Sequence, residues 1–306
     1  MSDGNFTIVG LGELLWDIFP SGKQLGGAPA NFAYIASLLG DHGIVASRIG
    51  DDALGQEAKQ RFQQLRLPTD FLQSDPSHPT GTVKVLVDSQ GQPRYEISPG
   101  AAWDSLEMTS QWRTLAGQAT AICFGSLAQR SPAASRTIHE FLGAARPTTT
   151  RIFDVNLRQP FYSREVLSDS IRRSSIIKLN QEELPIVLQL LNSPTPLSPG
   201  RENLAAEWLL HLSGAQLICI TRGAAGSLLI SKEGFHDHPG FAVKTVDTVG
   251  AGDAFTAALV HHFLRGAPLS AMNEAANRMG SWVAARPGAT PEADPAVLEQ
   301  VRSAHQ

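Results

Sequence analysis

The 306-residue chain has only two cysteines, three tyrosines and four methionines, and aromatic residues make up 7% of it. Two cysteines cannot build a disulfide framework. Cys123 and Cys219 each lie inside a short apolar run, Ala121–Phe124 and Leu217–Ile220, which suits buried free thiols in a reducing compartment. Neither has metal-ligand spacing, and none of the nine histidines clusters with them, so a Cys/His metal site is not expected. Positive charge is also short: 25 Lys and Arg stand against 29 Asp and Glu, for a net charge of −4. The basic residues are scattered, so no nucleic-acid footprint is present. No apolar run approaches the ~20 residues of a membrane span, and the N-terminus lacks a basic-then-apolar leader. The cytoplasm is the expected location, with no membrane partner.

Several nucleotide motifs are missing too. A dinucleotide fingerprint in the first turn, Val9-Gly10-Leu11-Gly12-Glu13-Leu14-Leu15, needs a third small residue where Leu15 stands. There is no Walker A sequence, and the combined Gly-rich loop, strand lysine and catalytic loop of a protein kinase is absent.

What is present is a core-forming pattern: 42% hydrophobic and 18% charged residues, with no repeat and no low-complexity tract. Short runs rich in Ile, Val and Leu predict strands at Thr7–Leu11, Ile44–Ile49, Ala121–Phe124, Arg151–Val155, Ile176–Leu179, Leu217–Ile220 and Ser227–Ile230. Most are separated by enough chain for a helix, which predicts βαβ units around a mainly parallel, buried sheet. Two regions break the rhythm. Leu14–Leu25 carries Trp16, Phe19, Pro20 and Gly22. Thr80–Ile97 alternates as a hairpin, with a turn at 88–93. These strands are expected to form a small sheet of their own. Ser193–Gly200 reads as a Pro/Ser loop, and no linker divides the chain, so residues 1–306 are expected to form one domain.

Two glycine clusters carry the chemistry. Asp247-Thr248-Val249-Gly250-Ala251-Gly252-Asp253 opens an apolar helical run from Ala254 to Leu264. Small residues at a helix start let unpaired N–H groups gather around an anion. A carboxylate inside such an anion site fits proton transfer better than charge pairing, which suggests phosphoryl transfer with Asp253 as base. Taken alone, the segment is better read as an ordinary glycine turn with Asp253 as a helix cap, but it does not stand alone. The second cluster, Gly26-Gly27-Ala28-Pro29-Ala30-Asn31, leads into a helix that ends at Gly40. Asn31 lies about one turn from Ile35 on the same face, either as a satisfied buried amide or as a hydroxyl-binding group.

These two segments resemble the signature regions of the ribokinase/PfkB carbohydrate kinase family. Further similarities follow in order at Gly50–Gly55, Asp154-Val155-Asn156-Leu157-Arg158, Asn180-Gln181-Glu182-Glu183 and Thr221-Arg222-Gly223-Ala224-Ala225-Gly226. The similarity runs from about Ile8 to Pro291. It implies a ribokinase-like α/β fold: a three-layer α/β/α arrangement with a small β-sheet lid drawn from about 14–25 and 80–98. A homodimer through that lid would fit it.

The resemblance also implies roles. Asp253 would be the base, with Gly250, Ala251 and Gly252 as the anion hole. Asp17, Gly27, Asn31 and Arg158 would meet the sugar. Asn180, Thr221, Gly223, Gly226 and Asn277 would serve the nucleotide. Glu183 would hold Mg2+ through water, while Asp247, Val249 and Gly288 would line a monovalent-cation site, with K+ the expected ion. ATP would be the phosphoryl donor. Ribokinases carry lysine where this chain has Ala28, and asparagine where it has Leu15, so fructokinases resemble it better. A kinase for a riboside or nucleoside, one for 2-keto-3-deoxygluconate, and a sugar-binding sensor without turnover are the alternatives.

Overall fold

The computed structural model of the chain describes residues 5–20, 22–87, 93–158, 160–194 and 202–304. The chain opens with β1 (Thr7–Leu11), leaves for β2 (Leu15–Phe19) and β3 (Gly22–Gly26), and returns through α1 (Ala28–Leu38) to β4 (His42–Gly50). Next come α2 (Ala53–Gln64), the short β5 (Leu72–Asp75) and the pair β6 (Gly81–Val87) and β7 (Pro93–Ile97). Helices and strands then alternate: α3 (Ser110–Gln118), β8 (Ala121–Gly125), α4 (Pro132–Ala144), β9 (Thr150–Asp154), α5 (Arg164–Arg172) and β10 (Ile176–Asn180). After α6 (Glu183–Leu190) and α7 (Glu202–Ser213) come β11 (Leu217–Thr221), β12 (Ser227–Ser231) and β13 (Gly234–His238). The chain closes with α8 (Ala251–Phe263), α9 (Leu269–Ala284) and α10 (Pro295–Arg302).

Among the described residues, the large sheet has nine strands in the order β13-β12-β11-β10-β9-β8-β1-β4-β5. Pairing is parallel from β5 through β11 and antiparallel at β12 and β13. Its inner strands are buried on both faces, as their unbroken apolar sequences require. Two apolar clusters cover those faces. Phe32, Phe62, Leu259, Met279 and Val301 pack on one side, and Trp112, Phe141, Leu167, Leu184 and Leu209 on the other. The expected three layers result. The small sheet has the order β3-β2-β6-β7, with β6 and β7 antiparallel and Val83 opposite Ile97. The turn expected at 88–93 and the Pro/Ser loop fall largely outside the described residues.

β5 and β13 were not anticipated. Both are edge strands. Gly234-Phe235-His236-Asp237-His238 is mostly polar and exposed, so it carries no apolar alternation, which also protects an edge from unwanted pairing.

The site-forming feature is the order around β1. β1 pairs with β4 on one side and with β8 on the other, so the chain reverses its winding there. Such a switch point leaves a crevice beyond the carboxyl ends of the strands, where α/β proteins bind ligands. α1 lies directly over β1 because Gly10 has no side chain: a Cβ there would stand 2.2 Å from the Pro29 carbonyl oxygen. Gly10→Ala should therefore push the first turn of α1 off the sheet and cost about 1–3 kcal/mol. Urea unfolding of the variant against the parent chain measures that cost, and a midpoint unchanged within error would show that α1 has room to move.

Candidate active site

The site gathers at the carboxyl edge of the large sheet, where two helices begin. Gly250 caps α8 with φ 76°, a left-handed conformation that favours glycine, and a Cβ on it would lie 2.4 Å from the Ala289 side chain. Ala251, Gly252 and Asp253 form the first turn, whose N–H groups have no partner within the helix. The helix starts three residues before the predicted run at Ala254, so the anion-binding segment is itself the helix start. Gly27 caps α1 with φ 111°, and its carbonyl accepts the N–H of Ala30 and of Asn31.

The two helix starts meet through one bond. Asn31 Nδ2 donates to Asp253 Oδ2 over 2.8 Å, between residues 222 apart in sequence. Burial pushes the Asp253 carboxyl from its ordinary 3.8 up to about 6. The Asp154 charge adds to the rise, while the Asn31 bond, Lys178 and Arg158 oppose it.

Below this pair lies one that sequence reasoning missed. Lys178, on β10, holds both oxygens of Asp154, on β9, at 3.1 Å, and both side chains are buried. Burial opposes the ammonium charge, but Asp154, Glu183 and Asp253 together raise its pKa above the ordinary lysine value. The Thr256 hydroxyl lies 3.1 Å from Asp154 Oδ2 and 2.9 Å from the Gly252 carbonyl. Lys178 Nζ comes so close to the helix start that a Cβ on Gly252 would be 3.1 Å away. A lone lysine inside the apolar run Ile176–Leu179 was the available signal.

Asp17 projects from β2 of the small sheet, and a Cβ on Gly26 would be 2.4 Å from its Oδ2. Burial lifts its carboxyl to about 6, with Arg158 opposing and Asp247 adding. Arg158 is exposed and donates to the carbonyl of its neighbour Leu157 at 3.0 Å. Glu13, in the turn after β1, is a third carboxylate and also escaped the sequence analysis. Burial raises it to about 7, with its own and the Ala28 N–H opposing, and its charge interacts with Asp253 and Arg158.

Asn180 and Glu183 cap α6 for each other. Asn180 Oδ1 accepts the N–H of Glu182 at 2.9 Å and of Glu183 at 2.8 Å. The Glu183 carboxylate accepts from Asn180 N at 2.9 Å and Leu157 N at 2.7 Å. Burial raises the Glu183 pKa and Lys178 opposes. Among the described residues, no cluster of three His, Cys, Asp or Glu side chains could cage a metal ion. The oxygens of Asn180 and Glu183, each already accepting an N–H, suit contact with a hydrated ion through water.

Asp247, Val249 and Gly288 do come together. Asp247 Oδ1 accepts from Val249 N and Oδ2 from Gly288 N, both at 3.0 Å, which joins the loop before α8 to the loop after α9. Thr221, Gly223 and Gly226 lie farther along the same edge, beyond β11, with φ 57° and 82° at the two glycines. A Cβ on Gly226 would be 1.9 Å from the His238 carbonyl oxygen, so this turn admits no side chain. Asn277, in α9, is buried, and its amide nitrogen is engaged by Ser227 Oγ and the Asn273 carbonyl, both at 2.8 Å. That leaves the amide oxygen as its contribution to any neighbour.

Residues 20–296 match the model of the pfkB family carbohydrate kinases. The chain belongs to the pfkB carbohydrate kinase family. It is 28% identical to a sugar kinase of Pyrococcus horikoshii over 94% of this chain and 93% of that one. The structure of that sugar kinase superposes with a TM-score of 0.82 over 97% of this chain and 100% of the other. A fructokinase of Salmonella typhimurium is 29% identical over 82% of each chain. The aminoimidazole riboside kinase of Salmonella enterica, solved with its riboside and an ATP analogue, is 25% identical with a TM-score of 0.76, covering 98% and 100% of the two chains. The chain is thus an ATP-dependent sugar kinase, with the ribokinase-like fold the sequence resemblance implied.

Two outcomes follow from the charges. If Asp253 serves as the base, it can accept a proton only as the carboxylate, so kcat/KM of this kinase should fall as pH drops through about 6. A pH–rate profile flat down to pH 5 would exclude Asp253 as the group that must ionise. Lys178→Met leaves Asp154 charged and unpaired, and should cost about 3–5 kcal/mol in denaturant unfolding.

Proposed function

We propose that this kinase transfers the γ-phosphoryl group of ATP to a primary hydroxyl of a small sugar, with fructose as the first candidate. The observation that carries the reading is Asp253, held by Asn31 inside the first turn of α8. A carboxylate at a helix start sits where the reacting hydroxyl and the transferred phosphoryl group must both be. Phosphoryl transfer has a loose transition state, so an aspartate can take the proton late and position matters more than basicity. Asp253 removes the hydroxyl proton. The backbone N–H groups of Gly250, Ala251 and Gly252 stabilise charge on the phosphoryl oxygens. Asp17, Gly27, Asn31 and Arg158 hold the sugar. Thr221, Gly223, Gly226, Asn180 and Asn277 serve the nucleotide.

Bound through water to Asn180 and Glu183, Mg2+ would neutralise the triphosphate. A monovalent cation such as K+ would be held by Asp247, the Val249 carbonyl and the Gly288 segment. The small sheet acts as a lid that excludes water from the phosphoryl group and offers a face for a homodimer. Two buried free thiols suit a cytoplasmic enzyme.

Fructose is favoured by Gly26-Gly27-Ala28-Pro29-Ala30-Asn31, with Ala28 where ribokinases carry lysine, and by fructokinase relatives at 28–29% identity. A riboside is the second reading, supported by the likeness to the aminoimidazole riboside kinase. ADP release with ATP and magnesium should be measured against fructose, ribose, glucose, mannose, nucleosides and 2-keto-3-deoxygluconate. Fructose should give the highest kcat/KM, and a larger value for another acceptor would replace it. Asp253→Ala should lower turnover ~10²–10⁴-fold, and near-normal turnover would remove Asp253 from the role.

A further inference from the structure

Glu13 has a place that the reaction scheme above does not use. It follows β1 at the point where the winding of the sheet reverses, in the crevice where a ligand is expected. Its residue is 3% exposed, and its Oε2 is buried without a hydrogen-bond partner. An unpartnered buried carboxylate oxygen is costly, because it has lost water and gained nothing. A second such atom lies at the start of α1. Asn31 is 4% exposed, and its Oδ1 is likewise buried and unpartnered. The orientation of that amide is set by chemistry: Nδ2 must face the Asp253 carboxylate, so Oδ1 must point elsewhere.

Both orphan atoms accept hydrogen bonds. Their complement is a group that donates without bringing negative charge, which is a hydroxyl.

We propose that Glu13 is a specificity-determining residue: with Asn31 it accepts hydrogen bonds from a substrate hydroxyl. The inference rests on the reading of the Asn31–Asp253 region as the sugar site.

The test is the kinetics of Glu13→Gln with the best neutral sugar of the panel and its monodeoxy analogues. Loss of a charged acceptor should raise KM for the parent sugar about 10-fold or more, with a smaller change in kcat. For the analogue that lacks the contacted hydroxyl, parent enzyme and variant should share the same KM. A KM unchanged for every sugar overturns the proposal. So does a rise by one common factor for the parent and all analogues, because that reports general damage rather than a lost contact. If Glu13→Gln does not fold, Glu13→Asp carries the same comparison, since a withdrawn carboxylate must penalise the parent sugar more than the deoxy analogue. Asp253→Ala separates the two levels. Normal turnover in that variant removes the sugar site itself, whereas a dead Asp253→Ala beside an unaffected Glu13→Gln removes only the role of Glu13.

Discussion

The 2.8 Å bond from Asn31 to Asp253 joins the starts of α1 and α8, and the rest of the site is arranged around that junction. Helix starts repel one another, because each presents the positive end of its dipole and several unpaired N–H groups. Bringing two together over one sheet edge requires negative charge between them and backbones that can crowd. The carboxylates of Asp253 and Glu13 supply the charge. Missing side chains supply the room: Gly10 lies against Pro29, Gly27 against the Glu13 carbonyl and Gly250 against Ala289, and a Cβ on Gly280 would lie 3.1 Å from the Ala251 carbonyl oxygen. Side chains on these glycines would push α1 or α8 away from its neighbours.

The buried Asp154–Lys178 pair sets the electrical level of that junction. Isolated, either charge would be expelled from the sheet or neutralised. Paired at 3.1 Å, they carry no net charge between them, yet they act on Asp253 in opposite directions. The aspartate is raised to about 6 and still ionises below neutral pH, which suits the base role proposed for it. Lys178 reaches the helix start without being a free cation, so attraction for phosphate there comes mainly from backbone N–H groups. Those groups need no reorganisation when charge develops in front of them.

The parts of this molecule that were legible in the sequence were those where one local rule acts alone. Inner strands are apolar on both faces, and all seven predicted runs became strands. Glycine clusters at helix starts marked both halves of the site, because positive φ and close approach leave few alternatives. β5 and β13 were hidden because edge strands need no apolar face. The pairing of Lys178 with Asp154 was hidden for a related reason. A single ionisable residue in a strand looks like the solvated member of an alternating pattern, and only the register of β9 against β10, Asp154 beside Lys178, shows that each is the partner of the other. Glu13 lay in a turn whose glycines attracted the attention. Its burial depends on Gly27 and Ala28, a helix cap contributed by a later part of the chain.

The same junction constrains how the small sheet can move. β3 ends at Gly26, and α1 begins at Ala28, so Gly27 alone separates the sheet that carries Asp17 from the helix that carries Asn31. Asp17 packs against Gly26 within the small sheet, and a Cβ on Gly288 would lie 3.1 Å from Gln24 Oε1, so the small sheet already touches the loop tied to Asp247 across the crevice. A rotation of the small sheet must therefore be absorbed at Gly27, whose φ of 111° is open to few other residues, or transmitted to the first turn of α1. Transmission would move Asn31, and with it the hydrogen bond that orients Asp253. A ligand that draws Asp17 toward the large sheet thus acts on the orientation of Asp253 through a single residue of backbone. If the small sheet closes over a substrate as proposed, closure and alignment of the Asp253 carboxylate would be one mechanical event.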